Sequence, residues 1–382
     1  MAACDFDAVI DRRCVPTSKW DRYPEGVLPM WVADMDFPVA EPITAALRDR
    51  LDHPVFGYGG PGPAKLRDVI AADMLELYGW SISPADIVFL PGVVPGFNQA
   101  LKAFTQPGDR LVVETPVYPP ILAAAGHWGL DRVDVPVGSI AQGSSPDLAR
   151  LTSALADAKA FLLCNPHNPT GKIRTRSELE AIGKACLASG AVIVSDEIHC
   201  DVVYGGAKHI PIAALSPEIA NRTITLMAAS KTYNIAGLKT AYAIIPNAEL
   251  RHLFAAANLG MSEGANVLGL VATEAALRHG RQWKQELLCY LEANRDHMVA
   301  RLKREIPEIR IVSPEATYLA WLDCTALDLG DAYRFFLDKA RVGFNPGPTF
   351  GSDDQHVRLN FGCPRALLDE GIDRMVKALS QR

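Results

Sequence analysis

The sequence predicts an α/β fold: a mostly parallel sheet covered by helices on both faces, joined to a smaller α+β unit. Three observations carry this. From residue 87 to residue 228, short apolar, β-branched runs alternate with amphipathic helix patterns. Runs without polar alternation are what strands buried on both faces require. Beyond residue 282 the pattern changes to one long helix followed by strand-like and helical segments. The chain has 382 residues, 49% hydrophobic and 21% charged, enough for two packed units around a substantial core.

The elements follow in order. The first fifty residues carry prolines and weak periodicity (PEGVLPMWVADMDFPVAEP) and predict an extended arm, 1–50, packing with the smaller unit. The larger unit is expected over 51–283. It opens with GYGGPG (57–62) and a helix over AKLRDVIAADMLELY (64–78). IVFL (87–90) is a strand, and NQALKAFTQ (98–106) is the helix after it. LVVE (111–114), FLLCNP (161–166), AVIVSDEI (191–198) and ITLMA (224–228) are further strands. SELEAIGKACLAS (177–189) is a helix, with Ser177 and Glu180 as its capping box and Leu179, Ile182 and Cys186 on one face. The smaller unit, 284–382, is built from the long helix QWKQELLCYLEANRDHMVARLKREI (282–306), strand-like RIVSP, YLAWLDC and HVRLNFGC, a helix around AYRFFLDKA and a final helix.

Composition narrows the function classes. Net charge is −6 with no basic block, which argues against nucleic acid or a membrane as partner. No apolar stretch approaches the roughly 18 residues of a membrane helix. The start, MAACDFDAVIDRR, has acids where a secretion signal needs a basic end and an apolar run. Eight cysteines are scattered without a C-x-x-C pair. That argues against structural zinc and a disulfide framework, and predicts a reducing, cytoplasmic setting.

Several motifs bear on chemistry. GYGGPG fits G-x-G-x-x-G, but the preceding RDRLDHPVF is charged and proline-broken, and Pro61 and Pro63 remove backbone donors. A glycine loop is the better reading than a nicotinamide site. In PGVVPGFNQA (91–100) a glycine turn follows a strand and opens a helix. It is either an ordinary turn or a place where free N–H groups and the helix dipole meet a phosphate. CNPHNPTGK (164–172) puts two asparagines beyond a strand's carboxyl end, the edge where open parallel sheets bind ligands. VIVSDEIHCDVVY (192–204) ends a strand on Asp196. His199 follows, with only Glu197 and Asp201 near and no helical ligand spacing, so no metal is expected. Lys231 follows the next strand. Asn168, Asp196 and Lys231 therefore reach one edge of one sheet. A buried Asp–Lys ion pair would explain two of them. A lysine of depressed pKa forming a Schiff base on pyridoxal phosphate (PLP), with the acid against the pyridine nitrogen, would explain the set.

NPHNPTG, SDEIH and SKTYNIAGLK, in this order, resemble the class I/II aminotransferase superfamily of fold-type I PLP enzymes. PMWVADMDFPVA (29–40), DHPVFGY (52–58) and VRLNFGCPR (357–365) resemble its C–S β-lyase branch, which includes cystathionine β-lyases. The resemblance covers nearly the whole chain and implies these roles. Lys231 holds the cofactor as a Schiff base. Asp196 keeps the pyridine nitrogen protonated, Asn168 meets the ring 3-oxygen, and Tyr118 stacks on the ring. Val93 and Val94 bind the phosphate through backbone N–H groups, with Ser230 and Lys239. Tyr58 reaches the phosphate of a neighbouring subunit, implying a homodimer with shared sites. Arg358, with Asn168, takes the substrate α-carboxylate. Ala228, Lys239 and His199 stand where many transaminases have serine, arginine and tyrosine, and the role of His199 stays open. The implied reaction is β-elimination from cystathionine or a related L-cysteine S-conjugate. The alternatives are transamination on the same residues and an added role binding a transcription regulator. The distal pocket is expected around Trp31 to Phe37, Tyr318 and Asn345.

Overall fold

The computed structural model describes residues 4–60, 62–140, 143–262 and 264–382. Pro61 of the glycine segment and the first three residues of the arm lie outside the described residues. Leu28–Pro29 forms a two-residue strand, β1. The main sheet contains β2 (Ile87–Leu90), β3 (Arg110–Thr115), β4 (Asp131–Pro136), β5 (Ala160–Cys164), β6 (Val192–Asp196), β7 (Thr223–Met227) and β8 (Ala241–Ile244). Their spatial order is β2-β8-β7-β6-β5-β3-β4. Only β8 runs against its neighbours β2 and β7; the other pairings are parallel. Strands β5 to β8 are buried along their whole length, as the continuous apolar runs require.

Two cores flank this sheet. Along β5, Phe161 and Leu163 face one, with Leu179, Ile182 and Cys186 of the helix Arg176–Ser189. Leu162 faces the other, with Phe97, Ala100 and Leu101 of the helix Val93–Phe104. This is the period-two alternation of a strand covered on both sides. Gly96 sets how closely the second helix approaches: a Cβ there would lie 2.8 Å from Leu90 Cδ1 and 2.9 Å from Leu226 Cδ2. That contact holds the helix N-terminus over the carboxyl edge of the sheet.

Beyond the long helix Arg281–Glu305, an antiparallel sheet of order β12-β13-β10-β9 forms from β9 (Arg310–Ile311), β10 (Leu319–Asp323), β12 (Asn345–Pro346) and β13 (His356–Asn360). Strand β11 (Val342–Gly343) pairs in parallel with β1. One apolar core joins Phe6, Leu28, Met30 and Phe37 from the N-terminal segment to Leu291, Phe344, Leu359 and Ile372. Among the described residues, no helix is long and apolar enough to cross a membrane.

Some elements differ from the sequence reading. The capping box of Arg176–Ser189 is Thr175 with Glu178, not Ser177 with Glu180, so the helix begins one residue earlier. The helix after β2 starts at Val93, well ahead of residue 98. The arm is not wholly extended. Glu41–Asp52 is a helix with Pro42 in its first turn, where proline costs nothing. Ile43 is its buried residue, which is why its periodicity is faint. Strands β4 and β8 carried no usable signal. Strand β4 is a largely exposed edge strand, DRVDVP, and β8 is a four-residue AYAI.

Candidate active site

A parallel sheet sends the loops after its strands to one edge. The loops after β2, β3, β5 and β6, and the one that joins β7 to antiparallel β8, all open there. They surround a cavity of about 640 Å³ closed on its far side by the β12–β13 region and residues 31–33. Lys231, Asp196, Asn168, Tyr118, Val93, Val94, Ser230, Lys239, His199 and Arg358 all line it. Tyr58 does not. It is 88% exposed, on the segment leading to the helix Ala64–Tyr78.

Asp196 is the last residue of β6, in register with Cys164 on β5 and Leu226 on β7. It is buried, and Oδ1 accepts the Ile198 N–H at 3.1 Å. Burial pushes its carboxyl up to about 7, against the opposing pull of that N–H and of Lys231. Lys231 lies four residues beyond β7. Burial brings its amine down to about 8, Arg358 acting in the same direction and Asp34 and Asp196 against it. The two do not form a salt bridge. Lys231 Nζ donates instead to the Ala33 carbonyl at 2.6 Å. Glu197, next along from Asp196, accepts from Ser195 and from His209 in a separate buried cluster.

Arg358 sits in the middle of β13, between Asn345 on β12 and Trp321 on β10. Its guanidinium is buried, lies 4.9 Å from the Phe350 ring centre, and is pulled down to about 10 by burial. Nη1 donates to Asn168 Oδ1 and Nη2 to the Trp31 carbonyl, both at 2.8 Å, while Nε has no partner. Asn168 thus faces Arg358, and its own backbone carbonyl accepts the Tyr118 N–H. Gly171, at φ +69°, lets this loop close on the segment between β9 and β10; a Cβ there would meet Pro314 Cβ at 2.7 Å. The Tyr118 hydroxyl is pushed up in pKa by burial and by Asp196. His199 is buried, edge-on to Tyr318 at 6.0 Å, with Nδ1 unpartnered. Burial, with Lys231 and Arg358, brings its imidazole down to about 3, so it is neutral.

The sequence reading passed over a second layer. The backbone of residues 31–34 acts as a strap of acceptors. Trp31 O also takes the Asn345 amide at 3.0 Å, and Ala33 O also takes the Tyr318 hydroxyl at 3.2 Å. Asn360 Nδ2 donates to Val32 O at 2.6 Å and Asp34 O at 2.9 Å. An ionic cluster holds the strap. Lys19 Nζ donates to Asp36 at 2.6 Å and to Asp34 O at 2.8 Å, and Arg12 bridges Asp34 and Asp36. No sequence signal announced it: Lys19 stands in the polar stretch TSKWDRY, and its burial, at 1% exposed, shows only in the structure. The expected distal wall is partly corrected. Trp31, Val32, Ala33 and Asn345 line the cavity, while Met35, Phe37 and Tyr318 are packed behind it.

These groups suit one class of ligand. The helix Val93–Phe104 has no side-chain cap at its N-terminus, and Ser230 and Lys239 share the cavity with it, as a phosphate requires. A buried carboxyl without a cation partner suits a protonated ring nitrogen. A lysine amine of lowered pKa suits an aldehyde, and the orphaned His199 Nδ1 leaves one more polar contact to be met. PLP fits this donor set.

Known proteins agree with the geometry. Residues 27–375 match the family described as Aminotransferase class I and II. The chain is 40% identical to the cystathionine β-lyase PatB of Bacillus subtilis, over 98% of this chain and all of that one. It superposes with a TM-score of 0.95 on the crystal structure of cystalysin from Treponema denticola, which contains a pyridoxal 5'-phosphate cofactor, at 30% identity over the full length of both. The crystal structure of OvoB matches at 0.94, with 42% identity over 99% of this chain and all of that one. With the family matched across nine-tenths of its length and the site at the sheet edge where that fold places it, the chain belongs to the class I and II aminotransferase family.

Proposed function

We propose that this protein is a PLP-dependent carbon–sulfur β-lyase. It cleaves cystathionine or related L-cysteine S-conjugates by α,β-elimination to a thiol, pyruvate and ammonia. The meeting, in one cavity, of a low-pKa lysine, a buried acid on the adjacent strand end and a buried arginine with a free Nε supports PLP chemistry. The observation that carries elimination over transamination, which uses the same residues, is the 40% identity to the cystathionine β-lyase PatB along nearly the whole chain.

Bound PLP supplies an electron sink for the charge that develops at the substrate α-carbon. The chain's residues do the rest. Lys231 would hold the cofactor, and its Nζ would take the substrate α-proton. The same Nζ, or a tyrosine hydroxyl, would return a proton to the departing sulfur. Asp196 holds a proton at the pyridine nitrogen. Val93, Val94, Ser230 and Lys239 grip the phosphate, and Tyr118 covers the ring. Asn168 and His199 meet its oxygen side. Arg358 binds the α-carboxylate with its planar fork, oriented by Asn168 and Trp31.

The protein works in the cytoplasm as a homodimer, with Tyr58 reaching the cofactor phosphate of the partner subunit. Val55 and Phe56, exposed beside Tyr58, support that reading. The working units are an arm over 1–50, a cofactor domain over 51–283 and a small domain over 284–382.

The test is a product assay on purified protein with L-cystathionine. Pyruvate and free thiol should appear together without added keto acid. The visible absorbance should be lost in Lys231→Ala. Turnover only when a keto acid is supplied would overturn the lyase in favour of transamination.

A further inference from the structure

Four cationic side chains line the cavity: Arg22, Lys231, Lys239 and Arg358. Three have places in the proposed reaction, on the carbonyl, the phosphate and the α-carboxylate. Arg22 has none. No carboxylate of the described residues forms an ion pair with it, and Asp196 is the one acid in the described lining. Its guanidinium is held instead on aromatic faces, 4.2 Å from the centre of the Trp31 ring and 5.7 Å from that of Tyr23.

Trp31 connects this cation to the reaction centre. Its carbonyl accepts from Arg358 Nη2, and its indole N–H donates to the Lys19 carbonyl at 3.1 Å. Both ends of the residue are therefore fixed, and its ring carries Arg22. A substrate whose α-carboxylate lies on Arg358 has Trp31 as a wall, with Arg22 on that same wall. The nearby polar side chains are already engaged: the Asn345 amide donates to Trp31 O, and the Thr349 hydroxyl donates to Pro346 O. The guanidinium lies over the indole and shares a side-chain hydrogen bond with Tyr23, and its remaining N–H groups can meet a carboxylate.

We infer that Arg22, presented by Trp31, is a subsite for an anionic group on the departing thiol. The preferred substrates are L-cysteine S-conjugates whose sulfur substituent ends in a carboxylate. This rests on the lyase reading and adds its specificity. Because Arg22 is exposed, the preference is modest, about three- to tenfold, as for a partly solvated ion pair.

The test compares S-(2-carboxyethyl)-L-cysteine with S-propyl-L-cysteine, which differ in that charge. Holoenzyme of the wild type, Arg22→Gln and Arg22→Lys is assayed for kcat and KM of pyruvate formation. The α-methyl analogues of the two conjugates, which have no α-proton and cannot be eliminated, are titrated at equilibrium by the change in cofactor absorbance. Arg22→Gln should raise KM and Kd for the carboxylate three- to tenfold, with kcat and every S-propyl constant unchanged. Arg22→Lys should keep part of the preference, and added salt should shrink it in the wild type. Equal constants for the two conjugates in the wild type, or equal losses for both in Arg22→Gln, would overturn the subsite. Pyruvate from S-propyl-L-cysteine without keto acid reports the lyase reading by itself. If none forms, that reading fails, and the binding titration still decides Arg22.

Discussion

Replacing Arg358 with lysine should lower kcat/KM for L-cystathionine by about 10- to 150-fold. The guanidinium is buried and already has two neutral partners, Asn168 and the Trp31 carbonyl, which fix its plane. The free Nε and the fork beside it can grip a carboxylate through two charge-assisted bonds. Lysine keeps the charge but not the fork, so one such bond is lost, worth about 1.5–3 kcal/mol. At 1.36 kcal/mol per decade this gives the range above. Arg358→Leu loses both bonds and should fall by about 10² to 10⁴. The assay is pyruvate release under kcat/KM conditions, with an S-substituted cysteamine, which lacks the carboxylate, as a separate binding control. Binding of that amine, read from cofactor absorbance, should be insensitive to either change. A lysine variant within about threefold of wild type, or equal losses for the carboxylate and the amine, would refute the assignment of Arg358 to the α-carboxylate.

Three further outcomes follow from the same geometry. With the Lys231 amine at about 8, the rate at which apoprotein and PLP develop visible absorbance should rise about tenfold per pH unit below that value and level off above it; a rise continuing toward the ordinary lysine value would contradict the depressed amine. Asp196 has a carboxyl raised from 3.8 to about 7. Across that window the folded apoprotein keeps a proton the unfolded chain has lost, so apoprotein stability should fall as pH rises through it. Asp196→Asn should flatten that part of a denaturation-versus-pH profile, and an unchanged slope would remove Asp196 as its source. Lys19→Met leaves Asp36 with Arg12 and Trp20 as partners, so the loss should sit at the low end of a broken buried pair, about 3 kcal/mol. For a chain of this length that is a fall in Tm of about 4 °C. A calorimetric shift below about 1 °C would show that the cluster does not hold the strap.

The sequence by itself determined the elements whose signals are local. Continuous apolar runs marked β5, β6 and β7, because strands buried on both faces cannot alternate polar and apolar residues. Asp196 and Lys231 were legible for the same reason: an ionisable group at the end of such a run needs a purpose. What lacked a local signal was missed. Strand β8 is four residues, one of them an aromatic and none a Val or Thr run, and the helix Glu41–Asp52 buries too little to show its period.

Tertiary structure decided the far wall of the site. Arg358 reaches the cavity because β13 lies between β12 and β10 in a separate sheet, a pairing of distant segments that periodicity cannot specify. The matching of Ala33 O with Lys231, and of Trp31 O with Arg358, involves backbone carbonyls. Every residue carries one, so no residue type announces it. The stacking of Arg22 on Trp31 is likewise a product of where the arm is tied down, by Lys19, Asp36 and Arg12. Residue identity located the chemistry along one sheet edge; the long-range packing of arm and second sheet decided which cations face the substrate.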